Sequence, residues 1–292
     1  MDVVEALVRC GGVARTADVL RVVPRHELRR AVEQGRVVRA AHGRYRLPDY
    51  DAHAAAAAQL GGASSLLSAA LAHGWPVKLP PERPQVVVPR GRNVGARRAG
   101  VELRWAEVSR AELDAGVTDP VRTVLDCARH LAFDVALAVA DSALRDGVPL
   151  TDLLLACQRS PRSGRGRAFR VLEQASPLAA NPFESVLRAV LIDVPGTHFE
   201  PQVWVGNVGR ADLVDRSRRV VVEADSFEFH SDSASLARDM ERYNGFVAED
   251  HRVLRFAWRH AMFGQDYVRA VVSSVLTPDR RSVRVCPTCA VA

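Results

Sequence analysis

Three acidic residues in the last third of the chain have the types and spacing of a metal-ion site. Glu223 and Asp225 stand two positions apart in the segment V-V-V-E-A-D, and Asp212 lies between apolar residues in A-D-L-V-D. Side chains alternate along a strand, so Glu223 and Asp225 share one face. Carboxylates in apolar strands are costly unless they are paired, exposed or bound to metal. Three of them converging at a sheet edge predict a site for Mg²⁺ or Mn²⁺.

A histidine and several arginines accompany these acids, and they leave two interpretations open. His230 follows Asp225 by five residues. It could act as a general acid or base, or polarise a phosphate, and it could equally be an ordinary loop histidine. The acids could instead form ion pairs in a domain that only binds its target. The arginines available for such pairs are Arg210, Arg219, Arg242 and Arg255, of which the last could also contact a phosphate.

Positioning these side chains requires a sheet with a helical crossover. The sequence predicts a helix that begins at Pro182, and a helical connection joins the strand with Glu223 to the next strand, which implies parallel pairing. The region is therefore predicted to be a mixed-sheet α/β domain. The predicted strands are 202–205, 210–214, 219–225 and 253–258, and the later helices are 233–249 and 265–276.

The first 50 residues have the pattern of a winged helix-turn-helix. Three short helices with apolar stripes are followed by a hairpin that turns at His42-Gly43. Arginines concentrate on the third helix and on the hairpin, so both are predicted to contact double-stranded DNA. A solvated charged face is the alternative. The candidate DNA-binding residues are Arg25, His26, Arg29, Arg30, Arg39 and Arg44.

The region between these two parts shows no catalytic constellation. It is predicted to be mainly helical, with a Gly/Ser/Arg linker at 160–167. The fold class is therefore α/β, or α+β for the chain as a whole. The predicted domains are 1–50, 51–177 and 178–276, followed by a tail at 277–292.

Composition excludes a mainly disordered chain. Of the 292 residues, 48% are hydrophobic and 25% are charged, as in ordinary soluble globular proteins. No apolar run reaches the ~18–20 residues that span a bilayer, so no membrane partner is expected. The first residues, M-D-V-V-E, are acidic where a signal peptide is basic, and we expect a cytoplasmic protein. The net charge of +6 favours a nucleic-acid partner.

The cysteines do not suggest a disulfide framework, because their number is odd and three of them are scattered. The scattered residues, Cys10, Cys127 and Cys157, are predicted to be small core residues. Cys286 and Cys289 form one C-P-T-C motif, which is half of a zinc site, and no second pair follows. We therefore expect this pair to be dispensable.

The segments that hold the acids resemble a nuclease family. V-V-V-E-A-D-S-F-E-F-H at 220–230, with A-D-L-V-D before it and R-D-M-E-R-Y-N and R-V-L-R-F after it, resembles the very-short-patch-repair-like branch of the PD-(D/E)XK nuclease superfamily. The match covers about 180–276, and N-P-F-E-S-V-L-R at 181–188 fits its opening helix. The front of the chain resembles the AbiE-type antitoxin family in G-G-V-A-R-T-A-D-V-L, G-R-V-V-R-A-A-H-G-R-Y, S-L-L-S-A-A-L-A-H-G-W and D-P-V-R-T-V-L-D.

The nuclease resemblance implies a restriction-endonuclease-like fold and metal-dependent cleavage. It assigns Asp212 as the first acid of the motif, Glu223 as the second and Glu184 as the acid of the first helix. Glu184 could also be a capping or surface acid. Asp225 occupies the position of the superfamily's lysine, so activation of water would fall to the metal, to His230 or to Asp225.

Three functional hypotheses follow. The leading one is a DNA-binding protein whose C-terminal domain is an endonuclease that uses Mg²⁺ or Mn²⁺ and no organic cofactor. The alternative is a non-catalytic, antitoxin-like transcriptional repressor of a toxin–antitoxin or phage-defence operon. The third is a module that neutralises a partner protein such as a cognate toxin. The acids favour the first hypothesis, whereas the missing lysine and the antitoxin-like front favour the second.

Overall fold

The computed structural model describes residues 1–41, 43–225 and 233–276. Helices and strands are mixed along the chain, which is α/β in content and α+β overall. Within these ranges, no helix combines the length and the apolar character needed to cross a membrane. Outside them lie the predicted tail at 277–292 and four residues singled out by the sequence, His42, His230, Cys286 and Cys289.

The chain divides into two compact units, Met1–Pro182 and Phe183–Ala292. The regions 1–50 and 51–177, which the sequence predicts as separate domains, both lie in the first unit. The second unit begins at Phe183, a few residues after the predicted boundary at 178.

The first unit opens with three helices and a three-stranded antiparallel sheet. Its elements are α1 (Val3–Arg9), β1 (Val13–Arg15), α2 (Thr16–Leu20), α3 (Arg25–Glu33), β2 (Val38–Ala41) and β3 (Arg44–Arg46). The three helices and the hairpin of β2 and β3 are those that the sequence predicts. Strand β1 is an addition, and it pairs with β3 to give the order β1-β3-β2. Gly35, at φ +68°, follows the end of α3 in the left-handed conformation that a helix C-terminus favours.

The rest of the first unit is mainly helical, as predicted, around a second small sheet of order β4-β5-β6. Strands β5 and β6 are parallel. The elements are α4 (Asp49–Leu60), β4 (Ala63–Ser64), α5 (Leu66–Ala72), β5 (Gln85–Pro89), a 3₁₀ helix (Gly95–Arg98), β6 (Glu102–Ala106), α6 (Arg110–Ala115), α7 (Pro120–His130), α8 (Phe133–Arg145), α9 (Leu150–Arg159) and α10 (Arg165–Gln174).

The predicted linker at 160–167 is wrong, because helix α10 begins inside it. Gly164 adopts φ +75° at the start of α10 and turns the chain into the helix. The segment is also held in place, since Arg129 donates two hydrogen bonds to the carbonyl oxygen of Ser163, at 3.2 and 2.8 Å. Buried Val171 and Leu172 anchor α10 to the neighbouring helices.

The second unit is built around a four-stranded mixed sheet of order β10-β9-β8-β7. Strands β9 and β10 pair in parallel, as predicted, and the other pairs are antiparallel. The elements are α11 (Pro182–Ile192), β7 (Glu200–Val205), β8 (Gly209–Asp215), β9 (Val220–Asp225), α12 (Ser233–Ala248), β10 (Arg252–Ala257), α13 (Trp258–Phe263) and α14 (Gln265–Leu276). Helix α13 is an addition to the predicted order.

A compact apolar cluster positions the strands of this sheet. Phe246 of α12 is fully buried against valines of β7, β8 and β9, including Val205, Val214 and Val221. Burial of one such phenylalanine contributes about 1.5–3 kcal/mol to folding. The cluster therefore holds β8 and β9, and the acids they carry, in a defined arrangement beneath α12.

Candidate functional site

The backbone ladder between β8 and β9 opens at Asp212 and Glu223. Regular antiparallel pairing ends where Leu213 pairs with Val222. Beyond that pair, the Asp212 N–H donates to Glu223 Oε1 at 3.2 Å, and the Ala224 N–H donates to Asp212 Oδ2 at 2.9 Å. Two carboxylates thus serve as acceptors where a regular ladder uses backbone carbonyls. The arrangement brings the first two predicted acids together.

Gln202 on β7 connects Asp212 to the helix acid Glu184. The β7–β8 register on either side of Gln202 sets it across from Asp212. Its Nε2 donates to Glu184 Oε2 at 2.7 Å and to Asp212 Oδ1 at 3.2 Å. Gln202 has φ +56°, in the left-handed region that residues with a Cβ rarely adopt. Glu184 is 6% exposed in the first turn of α11, so it belongs to this buried cluster and is not a surface acid.

The electrostatics of the cluster favour protonation of its acids. Burial, followed by the charge of Asp212, raises the pKa of Glu223 to about 8. Burial also raises the pKa of Asp212, while the Ala224 N–H and the nearby Arg242 oppose that rise. The two carboxylates therefore hold a proton more readily than separate carboxylates would, and a cation bound between them would displace it.

Arg242 of α12 supplies a counter-charge to this pair. Its Nη2 lies 2.8 Å from Glu223 Oε2 and 3.8 Å from the carboxylate of Asp239, one turn earlier on the helix. The Arg242 side chain remains 29% exposed. The contact between Arg242 and Glu223 therefore supports the interpretation that the acids form ion pairs. Because Arg242 is partly exposed, it can also bind an anion from solvent.

Asp225, the third predicted acid, is held by an arginine. Arg255 pairs in register with Glu223 across β9 and β10, and its Nη2 makes a close ion pair with Asp225 Oδ2. The Arg255 guanidinium stacks 3.9 Å from the centre of the Tyr243 ring. Burial, together with the charge of Asp225, raises the pKa of Tyr243 to about 12. Asp225 Oδ1 is buried and has no hydrogen-bond partner among the described residues.

The carboxylates that meet fit a magnesium site with two protein ligands. Across the described ranges, no three His, Cys, Asp or Glu side chains are placed to hold one metal ion. The sequence predicts that Asp212, Glu223 and Asp225 share one ion. In the structure Asp225 is paired with Arg255, so Asp212 and Glu223 remain as the candidate ligands. Mg²⁺ commonly takes one or two protein carboxylates and completes its octahedron with water and substrate phosphates. A pair of buried carboxylates that both have raised pKa values meets that requirement.

A second candidate site is the basic surface of α3, which could form a nucleic-acid interface. Buried Leu28 and Ala31 turn the opposite face of the helix toward solvent. Arg25 and Arg30 have no ion-pair partner within the described part of the chain, whereas Arg29 lies 3.7 Å from Glu33. The exposed residues of this basic surface are the predicted Arg25, His26, Arg29 and Arg30.

The two predicted contacts on the hairpin differ in their surroundings. Arg39 on β2 is exposed. Arg44 on β3 is half-buried, and its Nη2 lies 3.5 Å from Asp146 Oδ1, after the end of α8. Asp146 also accepts a hydrogen bond from Trp75 Nε1 at 3.0 Å. Arg44 thus contacts the remainder of the first unit, and it would have to leave Asp146 to bind DNA.

Sequence reasoning missed Gln202, although a signal for it exists. Gly206-Asn207 follows the strand predicted at 202–205, and these two residues are typical of a hairpin turn. A two-residue loop there would pair Gln202 with Ala211. The structure pairs Val205 with Gly209 around a three-residue loop, and this shifts Gln202 across from Asp212. Recognising the longer loop would have identified Gln202 as the residue next to the first acid.

Comparison with known proteins finds partial relatives. No family model matches the chain. The chain is 29% identical over 175 residues to two proteins of Mycobacterium tuberculosis, "Uncharacterized protein MT2308" of strain CDC 1551 and "Uncharacterized protein Rv2248" of strain H37Rv. The match covers 55% of this chain and 58% of each relative, so the chain spans little more than half their length. The crystal structure of the RV2827C protein from Mycobacterium tuberculosis aligns with 59% of this chain and 75% of its own, with a TM-score of 0.32 and 16% identity.

Proposed function

We propose that the second unit hydrolyses DNA phosphodiester bonds with Mg²⁺ or Mn²⁺, as part of a DNA-binding protein. One observation carries the proposal: Asp212 and Glu223 meet in a gap of the sheet, where their carboxylates accept backbone N–H groups. Burial, followed by the charge of Asp212, raises the pKa of Glu223 to about 8. Buried acids with strongly shifted pKa values are typical of functional sites.

In this proposal, Asp212 and Glu223 provide the oxygen ligands of the metal. A bound metal would orient the scissile phosphate and lower the pKa of the attacking water. Gln202 holds Asp212 in orientation through its amide, and Glu184 holds Gln202 in turn. His230 or Asp225 would accept the proton of that water, since these are the bases that the nuclease resemblance leaves available.

Arg242 and Arg255 are proposed to contact the DNA backbone. Both are partly exposed, at 29% and 35%, and both pair with acids of the site. Phosphate oxygens accept strong hydrogen bonds from guanidinium groups. A DNA phosphate would compete with Glu223 and Asp225 for these arginines. The released carboxylate of Glu223 could then bind the metal, and that of Asp225 could accept a proton from the water.

The first unit is proposed to bind double-stranded DNA as a winged helix-turn-helix. The order helix, strand, helix, helix, hairpin, with β1 joined to β3, supports this assignment. The exposed arginines of α3 are suited to the major groove. The AbiE-type antitoxin front and the endonuclease-like fold of the second unit are part of the same proposal and rest on the sequence resemblances.

A cleavage assay tests the catalytic part. Supercoiled and mismatched DNA are incubated with the full chain in Mg²⁺, in Mn²⁺ or in EDTA. We expect cleavage with either metal and none in EDTA. Asp212→Asn and Glu223→Gln should abolish it, whereas Asp266→Asn, which changes a fully exposed acid on α14, should not. Cleavage that survives Asp212→Asn and Glu223→Gln would move the active site elsewhere.

The second candidate function is a non-catalytic, antitoxin-like repressor. The ion pairs of Arg242 with Glu223 and of Arg255 with Asp225 favour it, because they compensate two acids without any metal. A repressor would bind its own promoter, show no cleavage in any metal and keep its promoter affinity in Asp212→Asn. A cognate toxin as partner belongs to this candidate, and co-purification of the two proteins would test it.

A further inference from the structure

A cavity of about 600 Å³ lies in the first unit, and none of the acids of the candidate metal site lines it. One face of the β4-β5-β6 sheet forms one wall, and helices α7 and α9 form the other. Cavities of about 300–1,000 Å³ are the usual size for small-molecule sites. The size of this cavity therefore suits a small organic molecule, and its lining determines which kind.

The cavity has an unbalanced cation in its wall. Arg104 on β6 lines it, and the Nη1 of Arg104 is buried without a hydrogen-bond partner in the described part of the chain. Arg90, just after β5, also lines it, and no acid within the described residues pairs with this side chain. A buried guanidinium nitrogen left unpaired costs free energy, and an anion would satisfy it.

Three other charged residues of the wall, Asp119, Arg122 and Asp126, have hydrogen-bond or ion-pair partners. Arg122 lies 2.8 Å from Glu112 and 3.4 Å from Asp126, so this arginine is shared between two acids. Asp119 accepts the N–H of Arg122 as the N-cap of α7. Glu107 is exposed. Arg129 also lines the cavity and donates to the carbonyl oxygen of Ser163. Among the described residues, Arg104 and Arg90 are therefore the lining guanidinium groups that contact neither an acid nor a carbonyl oxygen.

Two further features complete the lining. Ser65 is 1% exposed, and its Oγ has no hydrogen-bond partner among the residues described. Buried Val87 on β5 and buried Leu125 on α7 supply an apolar part of the lining. The lining therefore combines hydrogen-bond donors for an anion, from one hydroxyl and two guanidinium groups, with an apolar surface. It is complementary to a molecule with one anionic end and one apolar end.

We propose that this cavity binds a small organic phosphate that carries an apolar body. The phosphate would accept hydrogen bonds from Arg104, Arg90 and Ser65, and the body would lie against Val87 and Leu125. Guanidinium groups bind phosphate through paired, charge-assisted hydrogen bonds, and the apolar wall adds affinity that a free phosphate ion cannot gain.

Calorimetry with three matched probes tests the class of ligand. Phenyl phosphate has both the charge and the body, inorganic phosphate has the charge alone, and phenol has the body alone. For the full chain we expect phenyl phosphate to bind most tightly, at least tenfold more tightly than either fragment probe. Equal affinity for phenyl phosphate and phenol, or no heat with phenyl phosphate at about 5 mM, a concentration at which even weak sites fill, would overturn the proposal.

Two variants locate the site. Arg104→Gln removes the buried cation and should weaken phenyl phosphate at least tenfold. Ala156→Phe on α9 fills the cavity, keeps every charge and should also prevent binding. Arg83→Gln, which changes an exposed arginine outside the cavity, is the matched control and should bind as the unmodified chain does. Binding that persists in both Arg104→Gln and Ala156→Phe would overturn the assignment.

A DNA phosphate is the competing source of the same chemistry, and a separate measurement distinguishes it. We expect a short DNA duplex to leave phenyl phosphate binding unchanged, and Arg104→Gln to leave duplex affinity unchanged. If the duplex displaces phenyl phosphate and Arg104→Gln weakens both ligands equally, the cavity is part of a DNA interface and the small-molecule proposal fails.

Discussion

Arg242 Nη2 lies 2.8 Å from Glu223 Oε2, so a helix cation faces one of two acids that share a gap in the sheet. The same acid accepts the backbone N–H of Asp212 through its other oxygen. Glu223 is therefore the meeting point of α12, β8 and β9. Changes to its charge, or to the charges around it, should alter both stability and any chemistry of the site.

Removal of the Arg242 side chain should lower the free energy of unfolding, because Glu223 then lacks its counter-charge. We expect Arg242→Met to lower the free energy of unfolding by about 2 kcal/mol at pH 9, because Glu223 must then either stay ionised without its partner or take up a proton from a basic solution. Urea denaturation measures this loss. The double variant Arg242→Met/Glu223→Gln should recover most of it, and Arg259→Met, at an exposed position, should change little. No recovery in the double variant would mean that Arg242 acts through packing alone.

Divalent metal should stabilise the second unit. A ligand that binds only the folded state adds RT ln(1+[L]/Kd), which is about 2.7 kcal/mol at a hundredfold excess over Kd. We expect Mg²⁺ or Mn²⁺ to raise Tm in calorimetry. Asp212→Asn should eliminate the rise, and Asp266→Asn should retain it. A rise of equal size in both variants would place the metal at another site.

The contribution of Glu223 to the stability of the metal-free protein should fall as the pH increases from about 4.5 to about 8. Glu223 has a pKa of about 8 in the folded chain and an ordinary value of 4.5, so its carboxylate binds more protons in the folded state in this window. Stability decreases with pH wherever the folded state holds the extra proton. Chemical denaturation at several pH values measures the slope, and Glu223→Gln should flatten it. If Glu223→Gln leaves the slope unchanged between about pH 4.5 and about pH 8, the raised pKa of Glu223 is contradicted.

The exposed arginines of α3 should control DNA binding. Replacement of Arg25, Arg29 and Arg30 together by Ala should weaken duplex binding by about 1–3 kcal/mol if one of them reads a base edge, and should reduce the dependence of affinity on salt. Fluorescence anisotropy measures both effects. The matched control replaces three other exposed arginines of the first unit, Arg83, Arg110 and Arg159. Equal losses in the two triple variants would indicate nonspecific attraction.

The cysteine pair of the tail should be dispensable. Two thiolates cannot close a tetrahedral zinc site, which needs four ligands. We expect truncation after Arg284, which removes Cys286 and Cys289, to leave stability and metal content unchanged. Elemental analysis of the purified chain gives the metal content. One zinc per chain, lost on truncation, would contradict this prediction.

Local patterns predicted much of the second unit. The strand predicted at 210–214 is observed as Gly209–Asp215, and that at 219–225 as Val220–Asp225. Alternation and a helical crossover are properties of neighbouring residues, so a sequence reveals them directly. The contact between Asp212 and Glu223 followed from the same reasoning, because both were expected on adjacent strands.

The remaining features depend on contacts between distant residues. A hairpin loop one residue longer than expected moved Gln202 next to Asp212. The parallel register of β9 and β10 brought Arg255 to Asp225 and took the third acid from the metal site. Neither register is encoded in a short pattern. The helix start within 160–167 was obscured by glycine and serine, whose usual association with loops was overcome by packing against α7 and α9.

The gap in the ladder makes two amide protons reporters of carboxylate ionisation. The Asp212 and Ala224 N–H groups point at carboxylate oxygens, whereas ordinary strand amides point at carbonyls, whose charge is constant. Amide chemical shifts respond to the charge of the acceptor, so the resonances of these two backbone groups will follow the protonation of Glu223 and Asp212 respectively. The Ala224 amide, on a residue that does not titrate, thus reports Asp212 in magnetic resonance, while the Asp212 amide reports Glu223 together with its own carboxylate.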